Sequence, residues 1–283
     1  MLLMNNVLLI GVGKMGALHK KYLQKIGQEY KWYDPCAPEG GIPNRVHSLD
    51  NLQQFTHIII ASPTETHEEY LLRLINDEYQ GKILVEKPGV TTFDNLRLLN
   101  NSKVSVGMVE RFNPAFKTLY QSWNKKETIS IDFIRCSARP VSRMDVSSFV
   151  DVGIHDLDLF CQLYSPSDIS SSYILNNENT FCLTFKMITG EIVRFIWSNE
   201  TFHKERKICI RQKDCNLVAD LSAQSVFKYS ISEKYKNSTE EKYVEKTSPL
   251  REELLYFLQE NPPVNAYESH KLFIGLLKEI QND

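Results

Sequence analysis

Along the first 120 or so positions, short apolar runs alternate with stretches whose apolar residues recur at three- and four-residue intervals. That grammar predicts parallel strands joined by crossover helices. The strands fall at residues 7–10, 29–33, 57–61, 82–85 and 104–108. Between the first two, Met15, Leu18, Tyr22 and Ile26 keep helical spacing until Gly27 stops it. Between the third and fourth, Thr66 and Glu69 are expected to form a capping box ahead of "HEEYLLRLIN".

Beyond Trp123 the pattern changes. "TISIDFIRCSA", "FCLTFKM", "EIVRFIW", "KICIRQ" and "CNLVADL" are short and partly alternating, which predicts a mostly antiparallel sheet. Thr189-Gly190 is expected as a two-residue hairpin turn. A helical stretch, "DVGIHDLDLFCQLY", interrupts the strands, and "SEKYKNSTEEKYVEK" reads as a charge-rich loop or edge hairpin. A helix over residues 249–258 has Ser248 as cap and proline at its first position, and a last helix spans about 266–280. The expected fold class is α/β: a doubly wound parallel sheet over residues 1–120, then an α/β domain over 121–283 whose last helix is free to pack back on the first.

Composition narrows the function classes. With 283 residues, 42% apolar, 24% charged and a net charge of −2, the chain has no basic excess to hold nucleic acid or an anionic membrane. Small-molecule partners are expected. Six scattered cysteines without a Cys-x-x-Cys pair fit a reduced, intracellular setting. The opening "MLLMNNVLLIGVG" lacks a basic leader and runs into a glycine turn, so it reads as a first strand. No apolar run approaches the roughly 20 residues of a membrane span, and a cytoplasmic protein is expected.

The chemistry begins at "VLLIGVGKMGALH". Gly11, Gly13 and Gly16 form G-x-G-x-x-G between a strand and a helix, the context in which this pattern binds a dinucleotide. Gly11 permits the turn, Gly13 the approach of a pyrophosphate and Gly16 close helix–strand packing. Val12, Lys14 and Met15 complete the turn and the helix start, whose amides and dipole suit phosphate. Asp34, 23 residues after Gly11, stands where an acid accepts ribose hydroxyls, so NAD is favoured over NADP. The alternative is that the glycines only serve a turn and Asp34 only caps a strand.

In such sheets ligands lie outside the carboxyl ends of the strands. Glu86, Lys87 and Pro88 end the fourth strand there, beside Ser62, Pro63, Thr64 and His67 of "ASPTETH", with "VERFNP" after the fifth. Lys87 is suited to polarise a substrate oxygen, and Pro88 to fix the direction of the chain, with the isomer of its bond left open. His67 is expected to order a cofactor-side loop or its helix start. In "DVGIHDLDLF", Asp151 and His155 share a helix face, with Asp158 close to it and Asp156 expected as a surface charge. A histidine backed by a carboxylate can take an alcohol proton as hydride leaves. No second histidine stands near enough for a metal site, and none is expected. Arg111 and Asn113 are candidates for a substrate phosphate or sugar hydroxyl, or else for organising the turn they occupy.

In order along the chain, "GVGKMG" with His19, "YDP", "ASPTETH", "VEKPG", "VERFNPAF" and "DVGIHDLD" resemble the glucose–fructose oxidoreductase, inositol dehydrogenase and MocA family (Gfo/Idh/MocA). The resemblance extends to the late "SPLREELLYFLQ". It implies a Rossmann domain joined to an α/β domain with a large open sheet, such sheets commonly mediating homodimer or homotetramer contacts. It places the catalytic set at Lys87, Asp151 and His155. The activity it implies is hydride transfer between NAD and a secondary alcohol carbon of a sugar, cyclitol or nucleotide-linked sugar. Imine or double-bond reduction on the same fold, and a catalytically silent nucleotide-binding scaffold, are the alternatives.

Overall fold

A computed structural model describes residues 5–37, 43–138, 149–177, 179–231, 237–259 and 261–282. The chain forms two compact units, Met1–Val109 with Leu250–Asp283, and Glu110–Pro249.

The first unit holds a five-stranded parallel sheet. Its strands are β1 (Val7–Ile10), β2 (Tyr30–Tyr33), β3 (His57–Ile60), β4 (Lys82–Val85) and β5 (Val104–Val106), in the order β2-β1-β3-β4-β5. Helix α1 (Lys14–Lys25) joins β1 to β2, and α2 (His67–Asn76) joins β3 to β4. The runs "VLLI" and "HIII" are buried along their whole length, as strands covered on both faces must be. Strand order reverses at β1, which leaves its carboxyl end as the place where a ligand crevice forms.

The capping box is not made. A 3₁₀ turn, Thr64–Thr66, runs straight into α2, so Thr66 is already helical; its hydroxyl donates to Pro63 O (2.8 Å) and lies 2.7 Å from Ser62 Oγ, whose hydroxyl can donate to it. Glu68, not Glu69, reaches out of this turn, its Oε2 accepting from Asn95 Nδ2 at 2.5 Å.

The second unit opens with α3 (Pro114–Ser122) and carries an eight-stranded sheet. Strands β6 (Thr128–Ala138), β7 (Ile169–Asn176), β8 (Thr180–Met187), β9 (Ile192–Ser198), β10 (Glu200–Gln212), β11 (Cys215–Asp220), β12 (Ser225–Ile231) and β13 (Asn237–Lys242) lie in the order β13-β12-β11-β10-β6-β9-β8-β7. All pairings are antiparallel except β6 with β9. The hairpin between β8 and β9 has three loop residues rather than two: Met187 pairs with Glu191, and Gly190 takes φ +103° to absorb the extra position. "NSTEEK" is the edge strand β13.

Helix α4 (Ile154–Leu163), entered through a π-helical turn at Phe149–Gly153, is pinned to the inner sheet face by aromatic packing. Phe160 meets Phe185 at 5.4 Å and Phe195 edge-on at 5.9 Å, and Phe195 stacks on Phe133 at 4.9 Å. Such pairs add about 0.5–1.5 kcal/mol each beyond area burial.

The chain then returns to the first unit with α5 (Pro249–Leu258) and α6 (Tyr267–Asn282). Leu254 and Phe257 of α5 join Val7, Leu9, Leu23, Trp32 and Ile59 in one core cluster, and Val106 N donates to Val264 O at 3.1 Å. All six cysteines are free. Among the described residues no helix is long and apolar enough to cross a membrane.

Candidate functional site

The glycine turn is built by backbone contact. Gly11 has φ +87°, and a Cβ there would stand 2.6 Å from the Ser62 backbone; one on Gly16 would stand 2.1 Å from Gly11 O. Both positions therefore demand glycine. Gly13 differs, because a Cβ on it would meet nothing within 4 Å. It is exposed at the start of α1, which has no side-chain cap and no acid in its first turn. That open, uncapped helix start suits an anionic phosphate.

Asp34 closes the cradle. Its Oδ2 accepts from Val12 N and its Oδ1 from Cys36 N, each at 2.9 Å. The half-buried carboxylate keeps lone pairs for further donors such as ribose hydroxyls. Beside it a pocket of about 570 Å³ is lined by Val12, Gly13, Lys20, Trp32, Asp34 and Cys36, among others. A dinucleotide fits these residues on three counts: the glycines, the open helix start and the acid at the end of β2.

The turn after β4 is held by three histidines on three helices. His19 of α1 lies 2.6 Å through Nε2 from Glu86 Oε1. His67 of α2 places Nδ1 2.8 Å from Pro88 O and Nε2 2.9 Å from Ser62 O. His270 of α6 accepts from Gly89 N at 2.9 Å through Nε2, while its Nδ1 lies 2.8 Å from Ala266 O. All three rings are buried. Between them stands Lys87, half-buried, with a cis bond to Pro88. His67 thus orders the Ser62 loop against this turn, as the sequence suggests, and its ring nitrogens are both engaged there. His270 has no sequence signal, since its partner lies 181 positions away.

Burial pushes the Glu86 carboxyl up, but the His19 hydrogen bond, with the charges of His19, Lys87 and His67, holds it below the usual carboxylate range. Gly107 leaves room for it: a Cβ there would come within 3.3 Å of Glu86 Oε2.

In the second unit, Arg111 grips Asp158 bidentately, Nε to Oδ2 at 2.6 Å and Nη2 to Oδ1 at 2.5 Å. Its carboxylate partner thus comes from its own chain. Asn113 is buried and caps α3, its Oδ1 accepting from Ala115 N at 3.1 Å and its Nδ2 donating to Glu110 Oε2 and Leu221 O, both at 3.0 Å. These bonds organise the turn.

Asp156 is not a surface charge. Helix α4 is buried on almost every side, and Asp156, 2% exposed, takes Arg135 Nη2 at 2.6 Å and Trp197 Nε1 at 2.8 Å. Arg135 also reaches Glu110 Oε1 at 2.9 Å. Burial pushes the Glu110 carboxyl up, yet Arg135, Arg206 and Asn113 hold it below its ordinary range. His155 stands half-buried on the first turn of α4. The backbone of Asp151 lies in the π-helical turn before it, and its side chain falls outside the described residues.

Solved structures share this architecture along the whole chain. A UDP-N-acetylglucosamine 3-dehydrogenase from Acidithiobacillus ferrooxidans superposes with a TM-score of 0.83 at 17% identity, covering 97% of this chain and 96% of that one. The dehydrogenase MviM from Clostridium difficile gives 0.77 at 18% identity over 98% and 99%. An oxidoreductase from Desulfitobacterium hafniense, named as NADPH-dependent, gives 0.78 at 13% identity over 98% and 96%. The fold is that of Gfo/Idh/MocA-type oxidoreductases. No family model matches the chain, and no curated protein matches it by sequence.

Proposed function

We propose that the chain is an NAD-dependent oxidoreductase that moves hydride between nicotinamide and a secondary alcohol carbon of a sugar, cyclitol or nucleotide-linked sugar. The observation that carries this reading is the joining of the glycine turn, Asp34, the Ser62 loop and the Lys87 turn at the carboxyl ends of β1 to β4. The A. ferrooxidans neighbour, a nucleotide-sugar 3-dehydrogenase, favours the nucleotide-linked class.

The nicotinamide, when bound, supplies the hydride acceptor. Gly11, Val12, Gly13, Lys14, Met15 and Gly16 would receive the pyrophosphate, Asp34 the ribose, and Ser62, Pro63, Thr64 and Glu86 the remainder. A ribose 2′-phosphate would be repelled by the Asp34 carboxylate, which supports NAD over NADP. Lys87 polarises the hydroxyl and steadies its oxygen as the C–H bond breaks. His155, oriented by Asp151, takes the hydroxyl proton, so that the alcohol leaves as a ketone. Arg111 and Asn113 shape the substrate side through the contacts they make. From the family resemblance we read the protein as a homodimer or homotetramer, and from its scattered cysteines and short apolar runs as cytoplasmic.

Calorimetric titration with NAD and NADP, followed by turnover on a panel beginning with nucleotide sugars, tests this. Lys87→Ala and His155→Ala should each lower kcat by about 10²–10⁴ with folding retained. Full turnover in both would overturn the assignments. Reduction of imines without oxidation of any carbinol would favour the reductase alternative, and tight NAD binding with no turnover the scaffold.

A further inference from the structure

We propose that His67 and His270 are positioning residues for Lys87, acting as two clamps of opposite hydrogen-bonding character on the two residues that follow it. The inference rests on the role given to Lys87 above.

The character of each clamp follows from its partners. His270 Nε2 receives the Gly89 N–H, so that nitrogen carries no proton. Its Nδ1 faces the Ala266 carbonyl and must be the protonated one, which fixes a single neutral tautomer. His67 faces carbonyls on both sides, Pro88 O at 2.8 Å and Ser62 O at 2.9 Å. A carbonyl cannot donate, so only a ring with both nitrogens protonated satisfies both contacts.

The two rings come from α2 and α6 and hold consecutive residues, Pro88 and Gly89, immediately after Lys87. The backbone that carries the ammonium is thereby fixed on its carboxyl side, while His19 fixes Glu86 on its amino side. Sub-ångström placement of a reacting group is what such supporting bonds provide.

Imidazole nitrogen NMR on the wild-type protein should show both nitrogens of His67 protonated and His270 protonated at Nδ1 alone; a proton on His270 Nε2 would overturn the assignment. Two variants extend the test. His270→Gln retains an acceptor and a donor, whereas His270→Leu has neither. The resonance of isotopically methylated Lys87, read in the folded protein, should match wild type in His270→Gln and move in His270→Leu. On the true substrate kcat should fall about tenfold or more in His270→Leu, with KM less affected and His270→Gln restoring most of the loss. An unchanged Lys87 resonance in His270→Leu sinks the clamp. If instead Lys87→Ala retains full turnover, the functional reading fails while the NMR result still stands.

Discussion

Arg111 and Asp158 are joined by two parallel hydrogen bonds, at 2.6 and 2.5 Å, across 47 positions of sequence. The pair is asymmetric in exposure: the Arg111 side chain is 17% accessible and that of Asp158 1%. Removing the arginine takes a cation from a carboxylate that water hardly reaches, whereas removing the aspartate takes an anion from a cation with some access to water. Arg111→Ala should therefore cost about 3 kcal/mol in urea unfolding, and Asp158→Asn clearly less. Equal costs would show that burial does not govern the pair.

The three glycines of the first turn should separate under substitution. Gly11→Ala and Gly16→Ala drive a methyl into backbone at 2.6 and 2.1 Å and should destabilise by at least about 2 kcal/mol. Gly13→Ala has open space and should unfold within about 0.5 kcal/mol of wild type. Its loss should appear as weaker dinucleotide affinity in calorimetry. Unchanged affinity in Gly13→Ala would remove the phosphate from this turn.

Acid should weaken the protein through its buried carboxylates. Glu86 and Glu110 titrate below their usual 4.5 in the folded state, so the unfolded chain binds protons first as pH falls. Their contribution is present above about pH 4.5 and is lost progressively below it. Glu110→Gln should flatten the acid limb of a stability–pH curve, and a curve of unchanged slope would contradict the assignment.

Phe160 ties the helix bearing His155 to the sheet. Phe160→Ala should cost about 3–5 kcal/mol by opening a cavity among Phe185, Phe195 and Tyr164. Thermal unfolding with and without NAD checks it: the loss in Tm should be the same in both, since the cradle lies in the other unit.

The parallel sheet was legible because its central strands, β1, β3 and β4, are buried on both faces over runs of three or more apolar residues. Strands β7 and β12 were not. "ISSSYILN" puts three serines on a sheet edge, and "SVFKYSI" turns Phe227, Tyr229 and Ile231 away from the face that Val226 buries. The glycines and Asp34 were readable because local backbone chemistry demands those residue types. Asp156 was misread because amphipathic spacing assumes a wet face that α4 lacks. His270 was missed because a histidine on a helix announces nothing until a partner from another segment arrives.

The return of α5 and α6 to the first unit has a consequence for biogenesis. Five strands of that unit are made within the first 106 residues, yet Leu254, Phe257 and Val264, which cover and extend its sheet, and His270, which holds Gly89, are synthesised only after the intervening unit. During translation the nascent nucleotide cradle must wait, its sheet partly bare, for the tail to emerge. A chaperone that shields apolar strands has its longest window of engagement there, and a ribosome stalled before residue 250 holds a cradle whose lysine turn is not yet locked.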